Sequence, residues 1–177
     1  MHCFIIVALT ADGFIGRDAQ HNSTRWTSKE DAAWFNARSK KAGVVVMGRS
    51  TYETIGRPLP DRVTIVYSRS DKTRLVENQA KLEKNQVYYT KLKPKELLAK
   101  LSKLGFNETA VCGGSSIYTM FIRSGVVKTL YLTVEPVIFG EGVRLFNQEL
   151  DLKLGLVTQK QLSPQTLLLE YQLIGRR

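Results

Sequence analysis

Apolar, largely β-branched runs recur along the chain at about 3–9, 43–47, 63–67, 108–112 and 129–135. Between them, helix-like stretches occupy about 28–40, 50–56, 93–104 and 116–123. Strand and helix in alternation predict an α/β fold, with a mostly parallel central β-sheet and helices on both faces. The end of the chain reads differently. Residues 156–162 and 166–174, split by Ser163-Pro164-Gln165, predict an antiparallel C-terminal hairpin. No internal repeat or low-complexity tract is visible, so one domain over residues 1–177 is expected. The longest stretch without clear periodicity is 10–26, and a loop of that kind in a small domain is often one that closes over a ligand.

With 177 residues, 43% of them hydrophobic, the chain can build one well-filled core and is short for two. No apolar run approaches the roughly 20 residues of a membrane span. The start Met1-His2-Cys3-Phe4-Ile5-Ile6-Val7 lacks the basic flank and cleavage site of a signal peptide. A cytoplasmic monomer without membrane contact is expected. Cys3 and Cys112 lie in strand-like apolar runs and read as core thiols, not as disulfide partners or metal ligands. No metal site is expected.

The formal charge of +10 is unevenly spread, since residues 72–103 hold nine Lys/Arg against three Glu. Within that tract Leu97, Leu98 and Leu101 recur at helical spacing, leaving the lysines on an outer face. A solvated basic face, attraction of a polyanionic cofactor and non-specific nucleic-acid contact all fit this pattern. Metal-finger spacing, aromatic-basic interleaving and a helix-turn-helix pattern are absent from the sequence, so no specific nucleic-acid partner is expected.

Candidate chemistry concentrates in residues 26–62. Counting from Asp31, Trp34, Phe35 and Arg38 fall at i+3, i+4 and i+7, so the carboxylate shares a helix face with two aromatic rings. Desolvation there would raise its pKa toward neutrality. Ser28-Lys29-Glu30-Asp31 also fits a capping box that would occupy Asp31 structurally. Thr27-Ser28-Lys29-Glu30 fits the same box one residue earlier, in which case Glu30 serves the cap and Asp31 is free. His21, in the long loop, reads as a solvated residue before it reads as an acid–base group.

Two strand-to-helix glycine turns follow, Gly48-Arg49-Ser50-Thr51 and Gly113-Gly114-Ser115-Ser116. Such turns are common in α/β proteins, and neither is a G-x-G-x-x-G or Walker sequence. The first brings a guanidinium and two hydroxyls to the positive end of a helix, and the second opens the backbone to a close ligand. Together they suggest a ligand with more than one phosphate.

The block Val45-Val46-Met47-Gly48-Arg49-Ser50-Thr51-Tyr52-Glu53-Thr54-Ile55-Gly56-Arg57-Pro58-Leu59-Pro60-Asp61-Arg62 resembles the signature of the dihydrofolate reductase family. Ala8, Asp12-Gly13-Phe14-Ile15-Gly16, Trp26, Asp31-Ala32-Ala33-Trp34-Phe35, the 111–118 turn and Leu130-Tyr131-Leu132-Thr133 are similar to further parts of it. The resemblance implies NADPH-dependent reduction of dihydrofolate, with Asp31, Trp26 and Thr133 at the catalytic position. Ile6, Phe35, Ile55 and Leu59 would hold the substrate, and Arg62 the carboxylate of its glutamate tail. Ala8 and Ile15 would lie along the nicotinamide, while Arg49, Ser68 and Arg69 would surround the 2′-phosphate. Gly48, Ser50, Thr51, Gly113, Gly114, Ser115, Ser116, Ile117 and Tyr118 would complete the cofactor site. Residues 17–25 are longer than in many bacterial members, and Ser115 stands where a third glycine is common. The runs 135–142 and 26–28 also resemble the pyrimidine reductase of riboflavin synthesis, which keeps a phosphoribosylamino-pyrimidine open as an alternative substrate.

Overall fold

A computed structural model describes residues 1–70 and 73–176. In chain order the elements are β1 (His2–Thr10), β2 (Phe14–Gly16), α1 (Lys29–Ala42), β3 (Val44–Gly48), α2 (Arg49–Ile55), β4 (Val63–Tyr67) and β5 (Val87–Thr90). They continue with α3 (Pro94–Lys103), β6 (Glu108–Val111), α4 (Ser115–Arg123), β7 (Val127–Glu135), β8 (Val143–Arg144), β9 (Leu152–Gln161) and β10 (Leu167–Arg176). Eight strands form one sheet in the order β5-β4-β3-β6-β1-β7-β10-β9. Neighbours from β5 to β7 are parallel, and β10 runs antiparallel to both β7 and β9.

The side-chain alternation of the central strand sorts the core into two layers. Cys3 and Ile5 face a cluster that includes Leu97 and Leu101 of α3 and Phe121 and Ile122 of α4. Phe4 and Ile6 face the opposite cluster, where Trp34 and Phe35 of α1 and Tyr52 and Ile55 of α2 pack against Val45 and Met47. Helices therefore cover both faces, as the alternating pattern predicts. Because β1 and β3 carry apolar residues on both sides, their sequences read as nearly continuous runs.

Some boundaries depart from the sequence reading. Four residues of β5 add a parallel edge strand beside β4, inside the tract read only as basic surface. Strand β9 starts at Leu152, ahead of the expected 156. The 10–26 segment is partly ordered by strand β2, which pairs with β8, and by a 3₁₀ turn over Ser23–Arg25 capped by Asn22. In α3, Leu97, Leu98 and Leu101 are buried and Lys95 and Lys103 exposed, as their spacing requires. Lys72, at the start of the basic tract, lies outside the described residues. Among the described residues no helix is long and apolar enough to cross a membrane.

Candidate active site

A cleft of about 1420 Å³ opens where the parallel strands end. Strand β1 delivers Ala8 to its wall, β3 delivers Gly48, and the turn after β6 delivers Gly113 and Gly114. In open α/β sheets the crevice beyond the carboxyl ends of the strands is where ligands settle. A site for one small molecule usually has about 300–1,000 Å³, so this cleft has room for two ligands side by side.

Asp31 lines the cleft and is only 8% exposed. Its place follows from how α1 begins. Ser28 is the N-cap, and its hydroxyl accepts the Asp31 N–H at 3.1 Å. The start proposed one residue earlier, with Glu30 as the box acid, is therefore corrected. Asp31 stands in the third helical position, where a box acid would reach back to the Ser28 N–H. That N–H instead donates to Oε1 of Glu135 at 3.0 Å. Burial pushes the Asp31 carboxyl above the usual carboxylate range. The hydroxyls of Thr133 and Thr27 draw it down, and the Glu135 charge adds to the rise. Thr133, 2% exposed, sits behind Asp31 without lining the cleft.

Ser28 caps α1 as one of the two sequence readings had it, whereas Glu135 and Thr166 are the polar groups that sequence reasoning missed. A signal was present, because Thr133 and Glu135 are two apart on one strand and so share a face.

The two glycine turns touch each other. Gly48 N–H donates to Gly113 O at 2.8 Å. A Cβ at Gly113, whose φ is +122°, would lie 3.3 Å from the Tyr118 hydroxyl, and one at Gly114 would lie 3.3 Å from Thr51 Oγ1. Both glycines thus hold the backbone open where a side chain would crowd it. The Ser115 hydroxyl is buried without a hydrogen-bond partner among the described residues, and a buried donor of this kind calls for an acceptor. Ser50, Ser116, Ile117 and Tyr118 line the same part of the cleft. The turns therefore fit a dinucleotide diphosphate. Further along, Arg49, Ser68 and Arg69 line the cleft beside Lys91 and Lys93, a concentration of cations suited to an extra phosphate. Arg49 is also engaged with Glu53 at 2.8 Å.

At the other end Ile6, Phe35, Ile55 and Leu59 form an apolar wall and Arg62 lines the floor. Arg62 is fully buried. Its guanidinium donates to Pro60 O at 2.9 Å, to Asn36 Oδ1 at 3.1 Å and to Ser39 Oγ. Among the described residues no carboxylate forms an ion pair with it, and burial lowers its pKa. The sequence did not reveal Asn36 and Ser39 as its partners.

The loop residues occupy the mouth. Ile15 lines the cleft, as do Asp18, Asn22 and Ser23. Trp26 does not; its ring packs edge-on against Phe139 at 5.2 Å, and its Nε1 is buried without a protein partner among the described residues. Arg17 stacks over the same Phe139 ring at 4.3 Å. His21 accepts the Arg17 N–H through Nδ1 at 3.1 Å, a role within the loop. Cys3 is buried, whereas Cys112, expected in the core, is half-buried on the cleft wall. Burial pushes each thiol up to about 12.

Comparison with known proteins bears on what this cleft does. The sequence profile of the family described as dihydrofolate reductase matches residues 2–147. The chain is 33% identical over 142 residues to the dihydrofolate reductase of Buchnera aphidicola subsp. Baizongia pistaciae, covering 80% of this chain and 76% of that one. Its structure is similar to Enterococcus faecalis dihydrofolate reductase complexed with NADP(H), with a TM-score of 0.71, 25% identity, and 98% and 96% of the two chains covered. A deaminase/5-amino-6-(5-phosphoribosylamino)uracil reductase from Thermotoga maritima shares the fold, with a TM-score of 0.74 at 18% identity over 97% of this chain and 56% of that one. On the profile match and the identity to the Buchnera enzyme, the chain belongs to the dihydrofolate reductase family, whose members are NADPH-dependent oxidoreductases.

Proposed function

We propose that this NADPH-dependent oxidoreductase reduces 7,8-dihydrofolate to tetrahydrofolate, acting as a cytoplasmic, single-domain monomer. The observation that carries the reading is a buried carboxylate, Asp31, on the wall of a cleft that also holds two adjoining glycine turns and a buried, anion-seeking arginine. NADPH, when bound, supplies the hydride. The turns at Gly48 and at Gly113-Gly114, with Ser115 and Thr51, would hold its diphosphate. Arg49, Ser68 and Arg69 would hold its 2′-phosphate, and Ala8 and Ile15 would border its nicotinamide.

The chain's own side chains prepare the other partner. Phe35 and Ile55 clamp the flat pterin between apolar faces and exclude water, which strengthens every charge interaction inside the cleft. Asp31 accepts hydrogen bonds from the pterin amino group and N3, and favours protonation at N5 directly or through a water. Thr133, whose hydroxyl draws the Asp31 pKa down, would hold the direction in which the carboxylate points. Arg62 receives the α-carboxylate of the glutamate tail.

Following NADPH consumption spectrophotometrically with dihydrofolate, and separately with 5-amino-6-(5-phosphoribosylamino)uracil, tests the reading. Turnover is expected with the first. Turnover with the pyrimidine alone would transfer the same cleft to the alternative reaction. The cofactor end has its own check. Gly113→Ala places a methyl 3.3 Å from the Tyr118 hydroxyl at a strained φ. It is expected to raise the KM for NADPH by about tenfold or more and to lower Tm, with a smaller change in the KM for dihydrofolate.

A further inference from the structure

Helix α1 opens with half a capping box. Ser28 Oγ takes the Asp31 N–H, but the reciprocal bond, in which the Asp31 carboxylate would take the Ser28 N–H, is not made. Glu135, at the far end of β7 and 2% exposed, has taken that donor. The same Oε1 also accepts the Ser28 hydroxyl at 2.8 Å, and Oε2 accepts the hydroxyl of Thr166 at 3.1 Å. Thr166 is itself 2% exposed. One carboxylate thus ties the start of α1 to the end of β7 and the approach to β10. Asp31 itself lines the cleft, and the hydroxyls of Thr133 and Thr27 draw its pKa down.

We propose that Glu135 is a positioning residue for Asp31: by satisfying the cap donor in its place, it leaves the Asp31 carboxylate directed at the cleft. The kinetic consequence rests on the proposed role of Asp31 in proton delivery; the structural content does not. Two titratable groups interact electrostatically with Asp31 from packed elements, Glu135 from β7 and the Tyr118 phenol from α4. Thr166, on the β10 side, carries no ionisable group. The two substitutions of Glu135 therefore separate its two effects. Glu135→Gln keeps an oxygen for the Ser28 N–H and removes the charge that raises the Asp31 pKa. Glu135→Leu removes both, and frees the Ser28 N–H to recruit the Asp31 carboxylate into the box.

The experiment titrates the ¹³C-labelled Asp31 carboxyl by NMR in the ligand-free protein, assigned with Asp31→Asn, and measures kcat and KM for dihydrofolate across pH. In Glu135→Gln the Asp31 midpoint is expected to fall, with the pH profile displaced to acid by the same amount. In Glu135→Leu the Asp31 carboxyl shift is expected to change to that of a capped carboxylate, and kcat to fall about 10- to 100-fold from misplacement of the group. Glu135→Gln is expected to recover most of that loss. Should Glu135→Leu not fold, Glu135→Ala takes its place; an Asp31 carboxyl shift equal to the parent's in the folded variant overturns the inference. So does a Glu135→Leu protein that loses Tm but keeps the parent's kcat and pH profile. If the parent does not turn over dihydrofolate, the proposed reaction fails, and the NMR titration still decides the place of Glu135.

Discussion

Asp31→Asn is expected to slow dihydrofolate reduction at neutral pH by about 10²- to 10⁴-fold, the usual contribution of a positioned acid or base. The loss should appear in kcat, with the dissociation constant of NADPH little changed, because the glycine turns and the Arg49 region lie apart from the start of α1. The direction of the pH dependence follows from the Asp31 pKa, raised chiefly by burial. In the parent, the rate of the chemical step should hold on the acid side and decline as pH rises through the raised value. In the asparagine variant the proton must come from solution, so the rate should climb continuously with acidity. A variant with the parent's rate at saturating NADPH and dihydrofolate across pH would remove Asp31 from the reaction.

The same shift predicts an opposite effect on stability. A carboxyl whose pKa is higher folded than unfolded binds more protons in the native state, so its contribution is greatest below the unfolded value and is lost as pH rises through the folded one. Asn at this position carries no charge to desolvate. Asp31→Asn should therefore raise Tm at neutral and alkaline pH, by about a few degrees for each kcal/mol recovered. The advantage should vanish in acid. A gain in stability together with a loss of rate marks a group retained for chemistry and not for folding.

The parallel core and both glycine turns were legible because each is local. A strand buried on two faces declares itself in four or five apolar residues, and a turn in a glycine followed by helix-compatible residues. Strand β5 was not, since Val87–Thr90 is short and partly exposed within a polar, basic tract. Asp31 could be singled out from its spacing to Trp34 and Phe35, but the reason it is free could not. That reason is Glu135, which is 107 residues from Ser28 in the chain, and only the tertiary fold, which sets the end of β7 against the start of α1, brings the two together. The partners of Arg62 pose the same difficulty, because Asn36 and Ser39 lie 26 and 23 residues away. Pairings of this kind depend on the sheet order, which a run of apolar residues does not specify.

Replacing Arg62 by leucine is expected to raise the KM for dihydrofolate by roughly 30-fold or more, from the loss of about 2–5 kcal/mol when one partner of a buried charge pair is removed. Three neutral oxygens surround its guanidinium: Pro60 O, Asn36 Oδ1 and Ser39 Oγ. A buried cation held only by neutral acceptors is poorly compensated. At this position on the cleft wall, an incoming anion would add its charge to that of Asp61, the nearby carboxylate that acts on the guanidinium at a distance without an ion pair. A carboxylate suits the planar fork better than a point charge would, because two parallel N–H groups can engage both oxygens. The effect should therefore depend on the substrate's tail. With a dihydropterin that lacks the glutamate, parent and Arg62→Leu should show similar KM and kcat values, since Asp31, Phe35 and Ile55 are untouched. An equal loss with both substrates would mean that Arg62 shapes the apolar wall, through Asn36 and Ser39 of α1, and does not read the tail.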